Sequence, residues 1–229
     1  MAITGRRPDA LAAAAATLRR DTGAEIRPIV SDIVEPGGSE RALDEVRARY
    51  GGLDVLVLNA GGPRPGRILD VEDAEWQADF DLLVRGPLRV ARRALPAMAV
   101  RGFGRLVFVT STAVRQPQPD LATSVVLRAA VTSAAKLLSR EFADRGVTVN
   151  CVAPGPTATR RRRDILAARA ERTGARLDDL DAEDVASVPA GRPARPEEIG
   201  AAVSFLASAA ASYVNGTVLT VDGGRTETT

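Results

Sequence analysis

The sequence predicts a three-layer α/β fold on a doubly wound parallel sheet, and two observations carry that reading. Short apolar runs alternate with longer helix-period segments along the whole chain, the pattern of βαβ units. The apolar fraction of 45% contains only 3% aromatics, so the core must be built from Val, Leu, Ile and Ala, as when helices pack closely on a parallel sheet. At 229 residues the chain suits one such domain, 1–229, with a sizeable core.

The elements follow in order. A strand is expected at 2–5 and a helix at 8–20, with Pro8 in a first turn where its missing N–H is harmless. A strand at 26–30 leads to a helix at 39–50 that Gly51 and Gly52 terminate. A strand at 54–58, a long helix at 73–98, a strand at 105–110, a helix at 123–143 and a strand at 148–153 come next. The stretch 160–190 is charged and helix-prone, and reads as a helical substrate lid. Pro196, Glu197 and Glu198 place a ring and two negative charges at the start of a helix over 196–207, which suits the positive end of its dipole. A strand at 218–221 closes the set, and the tail 225–229 is expected to fray.

Composition narrows the function. A formal charge of +2 gives no basic face that would favour nucleic acid as a partner. No uncharged apolar run is long enough to span a bilayer, and the N-terminus lacks a signal-peptide pattern, so no membrane association and a cytoplasmic location are expected. Cys151 is the only cysteine, which excludes an intramolecular disulfide and reads as a small buried thiol. With no histidine, His-based acid/base catalysis and the usual zinc sites are removed, and no metal is expected. Lys136, the single lysine, lies two helical turns beyond Arg128 and should face away from a site there.

Four motifs carry chemistry. RLVFVTSTAVRQPQPDLATSVVLRAAV delivers Ser111 to a strand end, opens a helix around Ser124 thirteen residues later and places Arg128 one turn beyond. DVLVLNAGG at 54–62 stops a strand abruptly on small residues, letting a ligand lie against backbone at the carboxyl edge of a sheet. VTVNCVAPGPTATR at 147–160 ends a strand in a Pro-Gly turn, and GRPARPEEIGAAVSFLASAAASYVNGTVLTVDGG fills 191–224. Together these resemble the short-chain dehydrogenase/reductase family over nearly the whole chain.

The resemblance implies a Rossmann-type fold and hydride transfer between a nicotinamide cofactor and an alcohol or carbonyl compound, nominally of the 3-oxoacyl type. It places Asn59, Ala60 and Gly61 beside the adenine ribose and Asp32 and Ile33 at the adenine. Pro154, Gly155 and Thr159 would face the nicotinamide end, and Arg128 would reach the ribose. Arg6 stands where NADPH-preferring members carry a basic residue; with Arg7 it would grip the 2′-phosphate, favouring NADP(H) over NAD(H). The C-terminal motif implies a homo-oligomer, a tetramer or dimer.

Three departures bear on activity. Active members carry Ser, Tyr and Lys; here Ser111 matches, but Ser124 stands in place of Tyr and Arg128 in place of Lys. Leu83 stands where the family has Asn. A serine hydroxyl is a far weaker acid on a shorter side chain, and a guanidinium does not give up its proton. Ser111, Ser124 and Arg128 remain the catalytic candidates, with a loss of about 10²–10⁴ in rate expected from the degraded proton relay. A non-catalytic subunit, or a sensor of ligand or cofactor, is the alternative, and a non-redox reaction polarised by Ser111 and Arg128 is a third reading. Tyr50 and Tyr213 read as packing residues and Asp120 as part of an exposed turn. The run RRRR at 160–163 reads either as a solvated basic helix start or as a site for a small anionic or acyl-thioester substrate.

The family pattern begins with a strand and a TGxxxGxG turn that cradles the diphosphate. This chain enters the pattern one βα unit later, at its second strand. The place between 2–5 and 55–58, normally the centre of the sheet, is therefore expected to hold unpaired backbone unless the sheet re-pairs or the natural start lies upstream of Met1.

Overall fold

The structure is a computed structural model that describes residues 1–228. It has the α/β three-layer architecture with parallel strands, but the strands form two sheets. The smaller pairs β1 (Ala2–Gly5) with β2 (Arg27–Val30); the larger has the order β3 (Val55–Leu58), β4 (Gly104–Val109), β5 (Val147–Pro154), β6 (Val218–Val221). Among the described residues no strand joins β1 to β3, and the sheet does not re-pair across that place.

The helices start and stop where local chemistry demands. Pro8 opens α1 (Pro8–Thr22), and Gly23 ends it at φ 68°, returning its N–H to the Arg19 carbonyl. Gly51 does the same for α2 (Gly38–Tyr50) at φ 75°. The single long helix expected at 73–98 is instead α3 (Asp73–Phe80), a π turn (Asp81–Arg85) and α4 (Gly86–Val100). Pro87 has no N–H to offer the Leu83 carbonyl, and the Gly86 N–H reaches back five residues to Asp81, so the helix widens there. Gly86 is also required by space, since a Cβ on it would lie 2.6 Å from the Ile33 carbonyl in the loop after β2.

Downstream come α5 (Ala122–Glu141), α6 (Arg160–Thr173), α7 (Leu177–Ala186) and α8 (Pro196–Ala207). Side chains alternate across β4. Leu106 and Phe108 enter the core beneath α4 and α5, with Leu95, Met98, Val131 and Val149. Val107 enters the opposite core with Val152 and Leu206 of α8. These two cores make three layers.

Three local expectations are corrected. Tyr213 is fully exposed rather than packed, because it follows the 3₁₀ turn Ala209–Ala211 that anchors Ala211 in the core instead. Asp120 is not left to solvent but pairs with Arg172 at 2.6 Å and Arg67 at 3.8 Å. The tail is held at least to Glu227: Arg225 pairs with Asp184, and the N–H groups of Thr226 and Glu227 donate to Asp222 and Gln116. Thr229 lies outside the described residues.

Candidate functional site

β4 runs out at Val109 and delivers Ser111, whose backbone is still extended (φ −164°, ψ 150°), to the start of a 3₁₀ turn. Its Oγ accepts the Ala113 N–H at 3.1 Å, which leaves the hydroxyl proton free to donate. Helix α5 then places Ser124 and Arg128 one turn apart, and the Arg128 Nε donates to Ser124 Oγ at 3.2 Å. Arg128 Nη1 donates to the Val109 carbonyl at 2.7 Å, and Nη2 points to the Ala60 carbonyl at 3.5 Å. One guanidinium thus ties α5 to the ends of β3 and β4, in the edge region where open α/β sheets bind ligands.

All three acceptors are neutral. Burial is the main cause that pushes the Arg128 guanidinium down to about 10, and the nearby Arg161 charge pushes the same way. Leu83, inside the π turn, is buried in the apolar core and adds no polar group. At the end of β5, the Pro154 carbonyl accepts from Thr112 Oγ1 at 3.3 Å, and Gly155 follows. Thr159 caps α6, its Oγ1 accepting the Arg162 N–H at 3.4 Å.

The expected dinucleotide contacts divide between the two sheets. Asn59, Ala60 and Gly61 follow β3, and Pro154, Gly155 and Thr159 end or follow β5, all on the larger sheet, where Ala60 faces Arg128. Arg6 and Arg7 follow β1, and Asp32 and Ile33 follow β2, on the smaller one. Arg6 and Arg7 are exposed, without an ion pair among the described residues. Asp32 spends one oxygen on the Val34 N–H at 3.0 Å.

A cleft of about 520 Å³ opens between the loop at Arg64–Gly66, helix α3 and helix α6, with Asp79 and Asp120 on its lining. Burial raises the Asp79 carboxyl above its usual range, opposed by a hydrogen bond with Thr123. The Arg172–Asp120 pair crosses from α6 to the turn before α5. Arg162 pairs with Asp181 and Asp184 of α7, so the segment expected as a lid folds as two helices pinned together. Sequence reasoning did not single out Asp79, which stands in no motif, and took Arg161 only as one member of the run at 160–163; tertiary placement is what sets these two apart.

Away from this edge, Lys136 Nζ donates to the Gly216 carbonyl at 3.1 Å. Cys151 is buried, and desolvation pushes its thiol up to about 12. No group of three or more Cys, Asp or Glu is placed to hold a metal ion among the described residues. No helix among them is long and apolar enough to cross a membrane.

Comparison with known proteins gives consistent relatives. The sequence profile described as enoyl-(acyl carrier protein) reductase matches residues 1–226. The 3-oxoacyl-[acyl-carrier-protein] reductase FabG of Salmonella typhimurium is 34% identical over 202 residues, 88% of this chain and 78% of that protein. The oxidoreductase UcpA of Escherichia coli is 31% identical over 204 residues, covering 86% and 74% of the two chains. Among solved structures, an actinorhodin polyketide ketoreductase with NADPH superposes with a TM-score of 0.94 at 29% identity, over 99% of this chain and 87% of that one. The L-sorbose reductase of Gluconobacter frateurii, solved with NADPH and L-sorbose, gives 0.91 at 29% identity over 100% and 87%.

Proposed function

The chain belongs to the short-chain dehydrogenase/reductase family, and on that footing we propose that it transfers hydride between NADP(H) and an alcohol or ketone of the 3-oxoacyl class. The observation that carries this is the Arg128 guanidinium, which bonds Ser124 Oγ and reaches the Val109 and Ala60 carbonyls at the carboxyl ends of β4 and β3, the same end of β4 at which Ser111 follows Val109. The residues fit the adenosine half of a dinucleotide. Arg6 and Arg7 offer unpaired guanidinium groups for a 2′-phosphate, and the small residues Ala60 and Gly61 leave the larger sheet's edge open, with no atom within 4 Å of a Cβ placed on Gly61. NADPH, when bound, supplies the hydride.

The chain's own residues then handle the carbonyl oxygen. Ser111 and Ser124 each have an oxygen already engaged as acceptor, so each keeps one O–H to donate to the charge that develops there. Ser124 passes its proton to that oxygen and is reprotonated from solvent, while the fixed positive charge of Arg128 stabilises the transient alkoxide on Ser124. The weak acidity of a serine hydroxyl makes this step slow. The FabG relatives and their named substrate favour a 3-oxoacyl thioester, and the cleft beside α6 offers room for it. Assembly as a homo-oligomer through 191–224 belongs to the same reading, supported by half-exposed Phe205 and fully exposed Tyr213 in that segment.

A second reading, retention of cofactor without turnover, is favoured by one feature: Arg128 holds Ser124 and the strand ends in place through neutral oxygens alone. Steady-state loss of NADPH absorbance with a 3-oxoacyl thioester separates the two. The expected rate is about 10²–10⁴-fold below that of a tyrosine-bearing relative, and Ser111→Ala should abolish what remains. NADPH binding with no oxidation would favour the second reading. Fast reduction that survives Ser111→Ala would place the chemistry elsewhere.

A further inference from the structure

Arg161, the second residue of α6, is half-buried yet makes no hydrogen bond or ion pair among the described residues. Its neighbours differ. Arg160 pairs with Asp164, and Arg162 is committed to Asp181 and Asp184. The Arg161 guanidinium lies directly over the turn at 59–62, since a Cβ added to Gly62 would come 2.7 Å from Arg161 Cζ. Arg128 approaches the same turn and points its Nη2 at the Ala60 carbonyl.

The two cations are close enough to disfavour each other: the Arg161 charge, after burial, lowers the affinity of Arg128 for its proton. Burial likewise lowers that of Arg161, and the carboxylates of Asp164 and Asp79 offset this only from a distance. Two partly desolvated guanidinium groups, neither of them in an ion pair among the described residues, are costly as they stand. An anion carrying two negative charges removes that cost: the Arg161 fork is shaped to take two of its oxygens, and Arg128 keeps one uncommitted N–H on each Nη. The N-terminus of α6 adds its own positive field at the same point.

We propose that Arg128 and Arg161 form a phosphate clamp across the 59–62 turn, selective for a phosphate monoester or diphosphate over a carboxylate. The ligand's phosphate comes either from the bound dinucleotide or from a phosphorylated substrate. The clamp does not depend on hydride transfer, so it stands or falls separately from the reductase reading.

Calorimetric titration of the full chain with inorganic pyrophosphate tests it, without cofactor and without turnover. Arg161→Gln should weaken binding about tenfold or more, as for loss of a charge-assisted hydrogen bond. Gly62→Ala should have a similar effect through a different route, because its methyl occupies the place of the guanidinium and displaces it while leaving every charge in place. Circular dichroism checks that both variants are folded. Pyrophosphate excluded by saturating NADPH would assign the clamp to the dinucleotide, and pyrophosphate that still binds the loaded protein would assign it to a substrate. Absence of pyrophosphate binding, or unchanged affinity in both folded variants, overturns the proposal.

Discussion

The inner strands β4 and β5 and the strands that flank the open place, β1 and β3, end up in different environments. β4 and β5 are hydrogen-bonded on both edges, and Val107 and Val149 within them are 0% exposed. β1 and β3 each have one edge without a strand partner, and Val55 and Val57 of β3 remain 37% and 42% exposed. The difference is not one of propensity. Leu58 reaches the core that α4 and α5 cover, whereas Val55 and Val57 alternate to the face where α8 covers β4, β5 and β6. A period-two apolar run is enough to make a strand, but a neighbour on each edge and a helix over each face are needed to bury it.

The largest expected effect is therefore positional. Leu106→Ala in β4 should cost about 2–5 kcal/mol in urea unfolding, since it empties a fully enclosed site. Val57→Ala in β3 should stay within about 0.5 kcal/mol, as for a surface change. Amide exchange should show the same contrast, with β1 and β2 opening before β4 and β5. Equal costs at the two positions, or equal protection in the two sheets, would mean that something in solution covers the free edges.

The next prediction uses the ligand to join what the backbone leaves apart. Arg6 belongs to the smaller sheet and Arg128 to the larger. If both touch one dinucleotide, Arg6→Ala should reduce the preference for NADPH over NADH by about 1.5–3 kcal/mol, the range for a hydrogen bond to a charged group. Fluorescence titration with each cofactor measures it. Equal affinity of the unmodified protein for the two cofactors would detach the smaller sheet from the site.

Much of this contrast was legible before the structure. The strands at 2–5 and 218–221 follow from local pattern, and the place between β1 and β3 is what the family resemblance implies for a chain that enters the pattern at its second strand. The Ser124–Arg128 contact was readable as one helical turn. The π turn was not, because a shift from four to five residues per hydrogen bond leaves the apolar pattern almost intact, and only Gly86-Pro87 hints at it. Nor was the position of Arg161 over Gly62 readable, since two segments about a hundred residues apart meet only through the path of β5. The hold on the tail escapes local pattern for a related reason: its bonds go to Asp222, Asp184 and Gln116, two of which are distant in sequence.

The smallest effect expected is a pH response confined to the larger sheet's cover. Glu198 near the start of α8 is held down to about 2, first by its hydrogen bonds with Arg192 at 2.7 and 2.8 Å and then by the Arg195 N–H at 2.7 Å. The ordinary value is 4.5, so the folded state favours the charged form. Its contribution is fully present above 4.5 and is lost as pH falls through about 2. Glu198→Gln should therefore be less stable than the unmodified chain near neutral pH, and the gap should close on acidification, because the protonated acid resembles the amide. Both partners are on the surface, so salt should shrink the Arg192 part and spare the backbone bond. Because α8 covers β4 and β5, the loosening should be felt at the Val107 amide before the Ile29 amide of β2. A stability gap that persisted unchanged to pH ~2, or equal loosening at both amides, would show that the cap does not act through α8.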